Sequence, residues 1–520
     1  MKKHFNIAGP CIPGDHYMLP AQARCRNLHE IIDQKEYFVI HAARQSGKTT
    51  LLKELARQLN AGGQYYAVYC SLETVRGISG PAEGIPRILD ELLYALRQHD
   101  AVGRYALDEP LDPAQYTLIV RKALSAVCRK LDKPLVLLLD EIDCLANGTL
   151  IGLLQQLRYG YVNRPDAPFA HSIALVGMRD IRDYKARIRG QRETLGSASP
   201  FNIITESLTL RNFMQEEIAA LYAQHTEATG QAFPPEVTAA VFTATQGQPW
   251  LVNAIAREIV VKLLENDASR RIELAHVEEA VQRLILNRPT HIDSLMERLK
   301  EERVRRVIEP VILGDAVGYH TMDDDFRYVL DLGLLAQRVG KIVPSNPIYG
   351  EVILRVLSSQ TQMTMQQQTY PPEYPAYLSG GRLDMGRLLR DFQAFWRENS
   401  AIWIEKYDYK EAAPHLILQA FLQRVINGGG RILREMAAGT QRLDLCVEFA
   451  AMRYPIELKL RYQEKTYQEG IAQLTGYMDM LGCSEGWLIV FDRRADIAWD
   501  EKLFWRTETV YGKTTHVIGC

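Results

Sequence analysis

Over the first 205 or so residues, short apolar runs alternate with longer amphipathic ones, the rhythm of strands and helices in an α/β sheet. The runs 37–41, 64–70, 135–140 and 172–178 predict strands. Residues 50–59 predict a helix, because Leu51, Leu52, Leu55, Ala56 and Leu59 share one face. From 214 to about 286 the pattern is almost purely helical, and 291–358 predict shorter helices ending in a small strand pair, 334–337 and 341–344. Residues 358–377 are polar and Gln-rich with three prolines, which predicts an exposed linker. Beyond it come helices at 385–398 and 411–425, strands at 430–436, 442–449, 454–460 and 486–492, and a helix at 467–481. No internal repeat stands out. The expected domains are therefore 1–213, 214–290 and 291–358, a linker at 359–384, and 385–520.

A chain of 520 residues is too long for one core, so three or four compact units are expected. Hydrophobic residues at 47% and charged ones at 24% fit a globular chain rather than a disordered one. A formal net charge of -2 excludes a globally basic coat for nucleic acid but leaves room for a local basic groove. The most apolar run, 135–139, is far too short to span a membrane, and the first residues lack an apolar signal core. The eight cysteines form no CxxC pair and have no histidines at zinc spacing, so zinc is not expected and a reducing cytoplasm is.

Candidate chemistry starts at Ala42-Ala43-Arg44-Gln45-Ser46-Gly47-Lys48-Thr49-Thr50, which follows an apolar strand and opens an amphipathic helix. That is the context of a phosphate-binding loop, where backbone N–H groups at a helix N-terminus wrap phosphates. Lys48 would reach the β- and γ-phosphates and Thr49 would sit on Mg²⁺. Ala42 stands where the first glycine is usual, which is tolerable at negative φ. The chain carries its own control: Gly512-Lys513-Thr514-Thr515 also reads GKTT, but it lies between short β-like runs, so a hairpin turn explains it.

Strand 135–140 ends in Asp140 and Glu141, and two acids there are costly unless something positive joins them. With a phosphate-binding loop upstream, Asp140 would orient the metal's water shell and Glu141 would polarise the attacking water. Asp143 would cap a helix or support the pair. A strand merely ending in polar residues is the bland alternative.

The stretches HYMLPAQAR, YFVIHAARQSGKTT, LLLDEID, LVGMRDIRDYK, SPFNI, GQPWLVNAIAREIV and NPIYGEVILRVL together resemble bacterial AAA-like ATPases of the STAND (signal transduction ATPase) type over residues 1–358. The resemblance implies that Arg179 senses the γ-phosphate, that Gly247-Gln248-Pro249 of a helical lid packs near the base, and that 291–358 form a winged helix. An ion pair for Arg179 and a helix stop at Gly247-Gln248-Pro249 are the plain alternatives. Arg24 or Arg26 matches the family's upstream element only loosely.

In the last third, the alternation at 442–449 puts Leu443, Leu445, Val447 and Phe449 on one face and Asp444 on the other. Ile456, Leu458 and Leu460 line one face of the next strand, and Glu457 and Lys459 share the opposite one. Asp444 and Glu457 are 13 positions apart, a hairpin distance, so two carboxylates and a lysine can converge to bind Mg²⁺ and hold a water. In the following helix Ile471, Leu474, Met478 and Leu481 make an apolar stripe, with Gln473 and Tyr477 on another face. This arrangement resembles the PD-(D/E)XK nuclease superfamily over 385–520. The resemblance implies Asp444, Glu457 and Lys459 as its signature and Gln473 as a contact of the metal–water site. Glu411 and Glu435 are further candidate acids. A salt bridge on an exposed strand is the alternative for Glu457 and Lys459.

The combined expectation is an α/β protein: a RecA-like P-loop ATPase core with lid and winged helix, then a separate nuclease-like α/β domain. Its cofactors would be ATP and Mg²⁺ and its partner nucleic acid, with DNA preferred. ATP binding would drive homo-oligomerisation and release or assemble the nuclease, and family analogy implies a role against foreign DNA. The rival readings are a regulator or scaffold whose nuclease-like domain binds without cutting, and a motor that cuts as it moves.

Overall fold

The structure is a computed structural model. It describes residues 3–105, 112–178, 204–287, 289–312, 323–338, 341–353, 355–357, 377–379, 381–405, 414, 417–419, 421–422, 430–438, 441–461, 465–492 and 497–520, without the side chains of 147, 290, 310, 312, 341, 399–405, 431, 433–438, 441–444, 460–461 and 465–466. Two compact units result: residues 1–307 with 318–351, and residues 308–317 with 352–520.

The first unit is built on α1 (Leu28–Asp33), β1 (Tyr37–His41), α2 (Lys48–Gly62), β2 (Tyr66–Ser71), α3 (Pro81–Gln98), α4 (Ile119–Lys130), β3 (Leu135–Asp140), α5 (Asn147–Asn163), β4 (Ser172–Gly177) and β5 (Ile204–Thr209). The strands form one parallel sheet in the order β2-β3-β4-β1-β5. Every residue of β3 and β4 is buried, as parallel strands covered on both faces require. Val39, Leu137, Leu139, Ile173 and Leu175 meet α3, α4 and α5 on one face, while Phe38, Ile40, Leu138 and Val176 meet α1 and α2 on the other. β5 was not foreseen: as an edge strand reading ITESLT, it carries no apolar run.

The helices α6 (Gln215–Thr229), α7 (Pro235–Thr245), α8 (Pro249–Arg257) and α9 (Leu274–Asn287) follow, then α10 (Thr290–Arg298), α11 (Glu302–Ile312), α12 (Asp324–Asp331) and the antiparallel pair β6 (Leu335–Arg338) and β7 (Lys341–Pro344).

The second unit contains the short pair β8 (Leu378–Ser379) and β9 (Arg382–Leu383), then α13 (Met385–Glu405), β10 (Gly430–Ala438), β11 (Gln441–Phe449), β12 (Met452–Arg461), α14 (Lys465–Leu481), β13 (Glu485–Asp492), α15 (Trp499–Lys502), β14 (Trp505–Val510) and β15 (Lys513–Gly519). They make a six-stranded mixed sheet, β10-β11-β12-β13-β15-β14, parallel at β12/β13 and β13/β15 and antiparallel elsewhere. On one face α14 lays Ile471, Leu474, Tyr477 and Met478 over Cys446, Leu488, Val490 and Val517. On the other, Phe392 and Trp396 of α13 meet Phe491, with ring centroids 6.2 and 4.9 Å away. Two expectations need correcting. Tyr477 belongs to the apolar stripe, not beside it. Cys446, on the supposedly polar face of β11, is buried because α14 covers it. The second GKTT copy sits at a hairpin, where Tyr511 and Gly512 (φ 51° and 76°) turn β14 into β15. Among the described residues no helix is long and apolar enough to cross a membrane.

Candidate functional site

At the end of β1 the backbone enters a loop whose last residue, Gly47, has φ 95° and leads into α2. Gln45 is also left-handed, at φ 57°. Lys48, at the first position of α2, is only 8% exposed, and its Nζ donates to the carbonyls of Ala42 (2.8 Å) and Ala43 (3.0 Å). Burial pushes its pKa down, while Asp143, Glu141 and Asp140 pull it back up. Thr49 Oγ1 donates to Asp140 Oδ2 at 2.7 Å, and the Tyr69 hydroxyl donates to the same oxygen at 3.1 Å. Asp140 closes β3, next to β2 and β4 and one strand from β1, so the parallel order delivers the acid to the edge of the loop. Two hard oxygens, one a hydroxyl and one a carboxylate, are thereby brought within contact distance of each other. That donor set suits Mg²⁺.

Glu141 follows in a left-handed conformation, φ 58°, which a non-glycine residue adopts at a cost of about 1 kcal/mol or more. Its carboxylate meets Arg76 at 3.4 Å, and burial, then Asp143 and Asp140, raise its pKa against Lys48 and Arg76. Asp143 lies in a single 3-10 turn, Ile142–Cys144, while the residue capping α5 is Ala146, so the expected cap is not there. Instead Asp143 packs on the end of β4, where a Cβ on Gly177 would come 2.7 Å from its Oδ1.

Several segments converge on the loop. Thr50 Oγ1 accepts from the Cys11 amide (3.1 Å), and Arg44 Nη1 donates to Ser294 Oγ of α10 (2.7 Å). Gly333, with φ 73°, brings the chain after α12 so close that a Cβ there would be 2.4 Å from Ala43 Cβ. Gly247-Gln248-Pro249 joins α7 to α8: Gln248 Oε1 caps α8 at the Leu251 amide (2.6 Å), and its Nε2 reaches the Gln45 carbonyl at 3.5 Å. Gly247 has φ 73° and is pressed on Phe213, whose N–H donates to the Gly247 carbonyl at 2.9 Å. In the next turn Trp250 Nε1 donates to the Ile7 carbonyl at 2.8 Å. Phe5 lies in a ring cluster with Tyr17, Tyr222 and Phe233, so residues 5–11 bridge these helices and α2. Ser46 is buried. Arg179 lies outside the described residues.

Sequence reasoning matched Arg24 or Arg26 only loosely to an upstream element and assigned neither. Arg24 is buried against the loop, with Nη1 donating to Ser46 O at 3.0 Å, whereas Arg26 is exposed. The partners of Arg24 are distant in sequence, so local spacing could not choose between the two arginines.

In the second unit Lys459 Nζ donates to Glu457 Oε1 at 2.6 Å. Glu457 is 2% exposed, which distinguishes the pair from a salt bridge on a solvated strand. α14 approaches closely because residue 470 is glycine: a Cβ there would lie 2.8 Å from Leu488 Cδ1 and 3.1 Å from Lys459 Cγ. One turn further on, Gln473 has a buried amide oxygen with no hydrogen-bond partner among the described residues. Leu445 of β11 pairs with Ile456 of β12, so Asp444 precedes and Glu457 follows a paired position on adjacent strands. The side chains of Asp444 and Glu435 and the whole of Glu411 lie outside the described residues. Among the described residues no group of three His, Cys, Asp or Glu could hold a metal.

Residues 31–184 match the AAA domain family. Among solved structures, the Walker-type ATPase paby2304 of Pyrococcus abyssi is 13% identical, with 67% of this chain and 99% of that one covered at a TM-score of 0.47. The Thermotoga maritima RuvB Holliday junction branch migration motor is 14% identical, with 62% and 90% covered at 0.33. Cdc6p from Pyrobaculum aerophilum is likewise 14% identical, with 62% and 88% covered at 0.33. No curated protein matches the chain. Residues 31–184, with their phosphate-binding loop and acid-tipped central strand, are a P-loop ATPase domain of the AAA type.

Proposed function

We propose that this chain is an ATP-dependent switch of the STAND type that controls a Mg²⁺-dependent DNA endonuclease in its second unit. On the nucleotide side, Lys48 gives up the carbonyls of Ala42 and Ala43 for the β- and γ-phosphates, trading neutral acceptors for anionic ones that bind roughly twice as strongly. The amides of Ala43 to Thr50 wrap the phosphates, and Thr49 and Asp140 hold Mg²⁺, which when bound offsets phosphate charge. Glu141, its pKa raised by burial, takes the proton of the attacking water, and Arg76 holds its carboxylate until then. Arg179 reads the γ-phosphate and Pro249, behind Gln248, borders the base. Residues 291–358 act as the winged helix that presses on the loop through Ser294 and Gly333.

On the nuclease side Asp444 and Glu457 hold Mg²⁺, Lys459 orients the nucleophilic water and Gln473 offers its free amide oxygen to the same site. The observation that carries this half is the burial of Glu457 against a half-buried Lys459 on the face that α14 covers, since a carboxylate withdrawn from water is costly unless chemistry or structure uses it. Closure around ATP would bring copies of the chain together and assemble the nuclease, in defence against foreign DNA.

Plasmid incubated with Mg²⁺ and ATP or ADP tests the proposal, using wild type, Lys48→Ala, Asp444→Ala and Lys459→Ala. ATP-dependent nicking by wild type alone is expected. Equal nicking by all four removes the cleavage assignment and leaves a regulator that binds without cutting. ATP turnover that rises on adding DNA indicates a motor instead of a switch.

A further inference from the structure

The first unit buries a second cation against the phosphate-binding loop. Arg24 is 6% exposed at the end of a single 3-10 turn, Ala21–Arg24. Its Nη1 donates to Ser46 O and to Arg211 O, both at 3.0 Å, and its guanidinium lies over the Phe213 ring, 4.8 Å from the centroid. Its Nε is buried with no hydrogen-bond partner among the described residues, and a Cβ on Gly47 would fall 2.8 Å from its Nη2. Among the described residues no carboxylate pairs with it. Glu217, whose field it feels, is held by Arg211 at 2.6 and 2.8 Å. Cys25, also facing it, has a thiol pushed up to about 11 by burial and so stays neutral near pH 7.

A buried guanidinium with only carbonyls for partners carries an uncompensated charge, which proteins seldom keep without an anion nearby. The nearest structure built to receive an anion is the loop that Arg24 touches. The contact also has a direction. A trans peptide points its C=O and N–H to opposite sides, so holding Ser46 C=O toward Arg24 turns the Gly47 N–H the other way.

We infer that Arg24 is a positioning residue of the nucleotide site: it fixes the Ser46–Gly47 peptide for phosphate binding, and the bound nucleotide's phosphates balance its buried charge. The inference rests on the ATP-site reading above. Through Arg211 O it also links the loop to the segment after β5, where Phe213 donates to the Gly247 carbonyl.

The test is titration of the full chain with ATPγS and Mg²⁺, read as Kd and as the nucleotide-induced rise in Tm, for wild type, Lys48→Ala, Arg24→Gln and Arg24→Lys. Arg24→Gln keeps a donor but not the charge, so Kd should rise about ten- to hundredfold. Its nucleotide-induced Tm rise should shrink while the nucleotide-free Tm is not lowered. Arg24→Lys, charged but without the fork, should fall between. Wild-type affinity in Arg24→Gln overturns the inference, as does a nucleotide-free Tm lowered with affinity intact, which marks a purely structural role. If Arg24→Gln is not recovered folded, wild-type affinity in Arg24→Lys overturns the two-carbonyl fork and a weakened Kd upholds it. Wild type and Lys48→Ala binding alike sinks the ATP site itself, a separate result.

Discussion

Each unit holds a lysine at its candidate site, Lys48 buried and Lys459 half-buried, and the two are held in opposite ways. Among the described residues Lys48 touches only backbone carbonyls, at 2.8 and 3.0 Å, with the acids that stabilise its charge standing off. Lys459 is already in contact with a carboxylate at 2.6 Å. A cation satisfied by neutral acceptors keeps its charge for an incoming anion. A cation paired with an acid forms a near-neutral unit, better suited to placing a metal ligand and a water than to capturing phosphate by charge. The first arrangement suits capture of an anion, and the second suits the metal-and-water role proposed for the second unit.

The largest effect that could break this contrast is Lys48→Ala. It should lower ATP turnover by about a thousandfold while leaving thermal stability unchanged, because no acid loses a contact partner; a phosphate-release assay and a melting curve check both halves. Lys459→Ala should behave differently, lowering plasmid nicking about a hundredfold and destabilising the second unit by about 2 kcal/mol, since Glu457 is left buried with less compensation. Urea unfolding reads the latter, and an undiminished midpoint would erase the difference between the two lysines. Next come the glycines that let elements close on each site. Gly247→Ala meets backbone, 1.9 Å from Phe213 O, at φ 73°, and should cost roughly 3–4 kcal/mol. Gly470→Ala meets the end of Leu488 at 2.8 Å, which can move, so about 1–2 kcal/mol is expected from the same melts.

The smallest effect is a pH dependence confined to the nucleotide unit. His291, buried beside Trp250 and bonded through Nε2 to the Tyr349 hydroxyl at 2.5 Å, has its pKa held down to about 3 by burial and then by Arg44. The folded state thus resists protonation that the unfolded chain accepts near 6.5. Its stabilising contribution is full above that value and is lost as pH falls from about 6.5 toward 3, by at most about 1.4 kcal/mol per pH unit. Melting temperatures between pH 8 and 5 should fall less steeply in His291→Gln than in wild type.

The strands that carry the first site were legible because parallel strands buried on both faces leave unbroken apolar runs: 135–140 was read to the residue and 64–70 to within two. β5 was hidden by its polarity, and α13 runs to Glu405 instead of 398, since nothing at Ser400-Ala401 breaks a helix. Local motifs announced Lys48, Thr49, Asp140 and the Glu457–Lys459 spacing. Contacts between distant segments were silent: Arg24 meets a carbonyl 187 positions away, and the helix that hides Glu457 has no counterpart in the alternation of β12. Period-two patterning tells which residues share a face, not whether a later helix will cover it.

Residues 7 to 11 form a leash. One end is tied to Trp250 and the other to Thr50. Four residues drawn taut reach about 14 Å, so while both knots hold, the Trp250 indole stays within that span and two hydrogen bonds of the Thr50 hydroxyl. Opening on a larger scale requires a knot to slip first, which makes residues 7 to 11 a brake on any such movement.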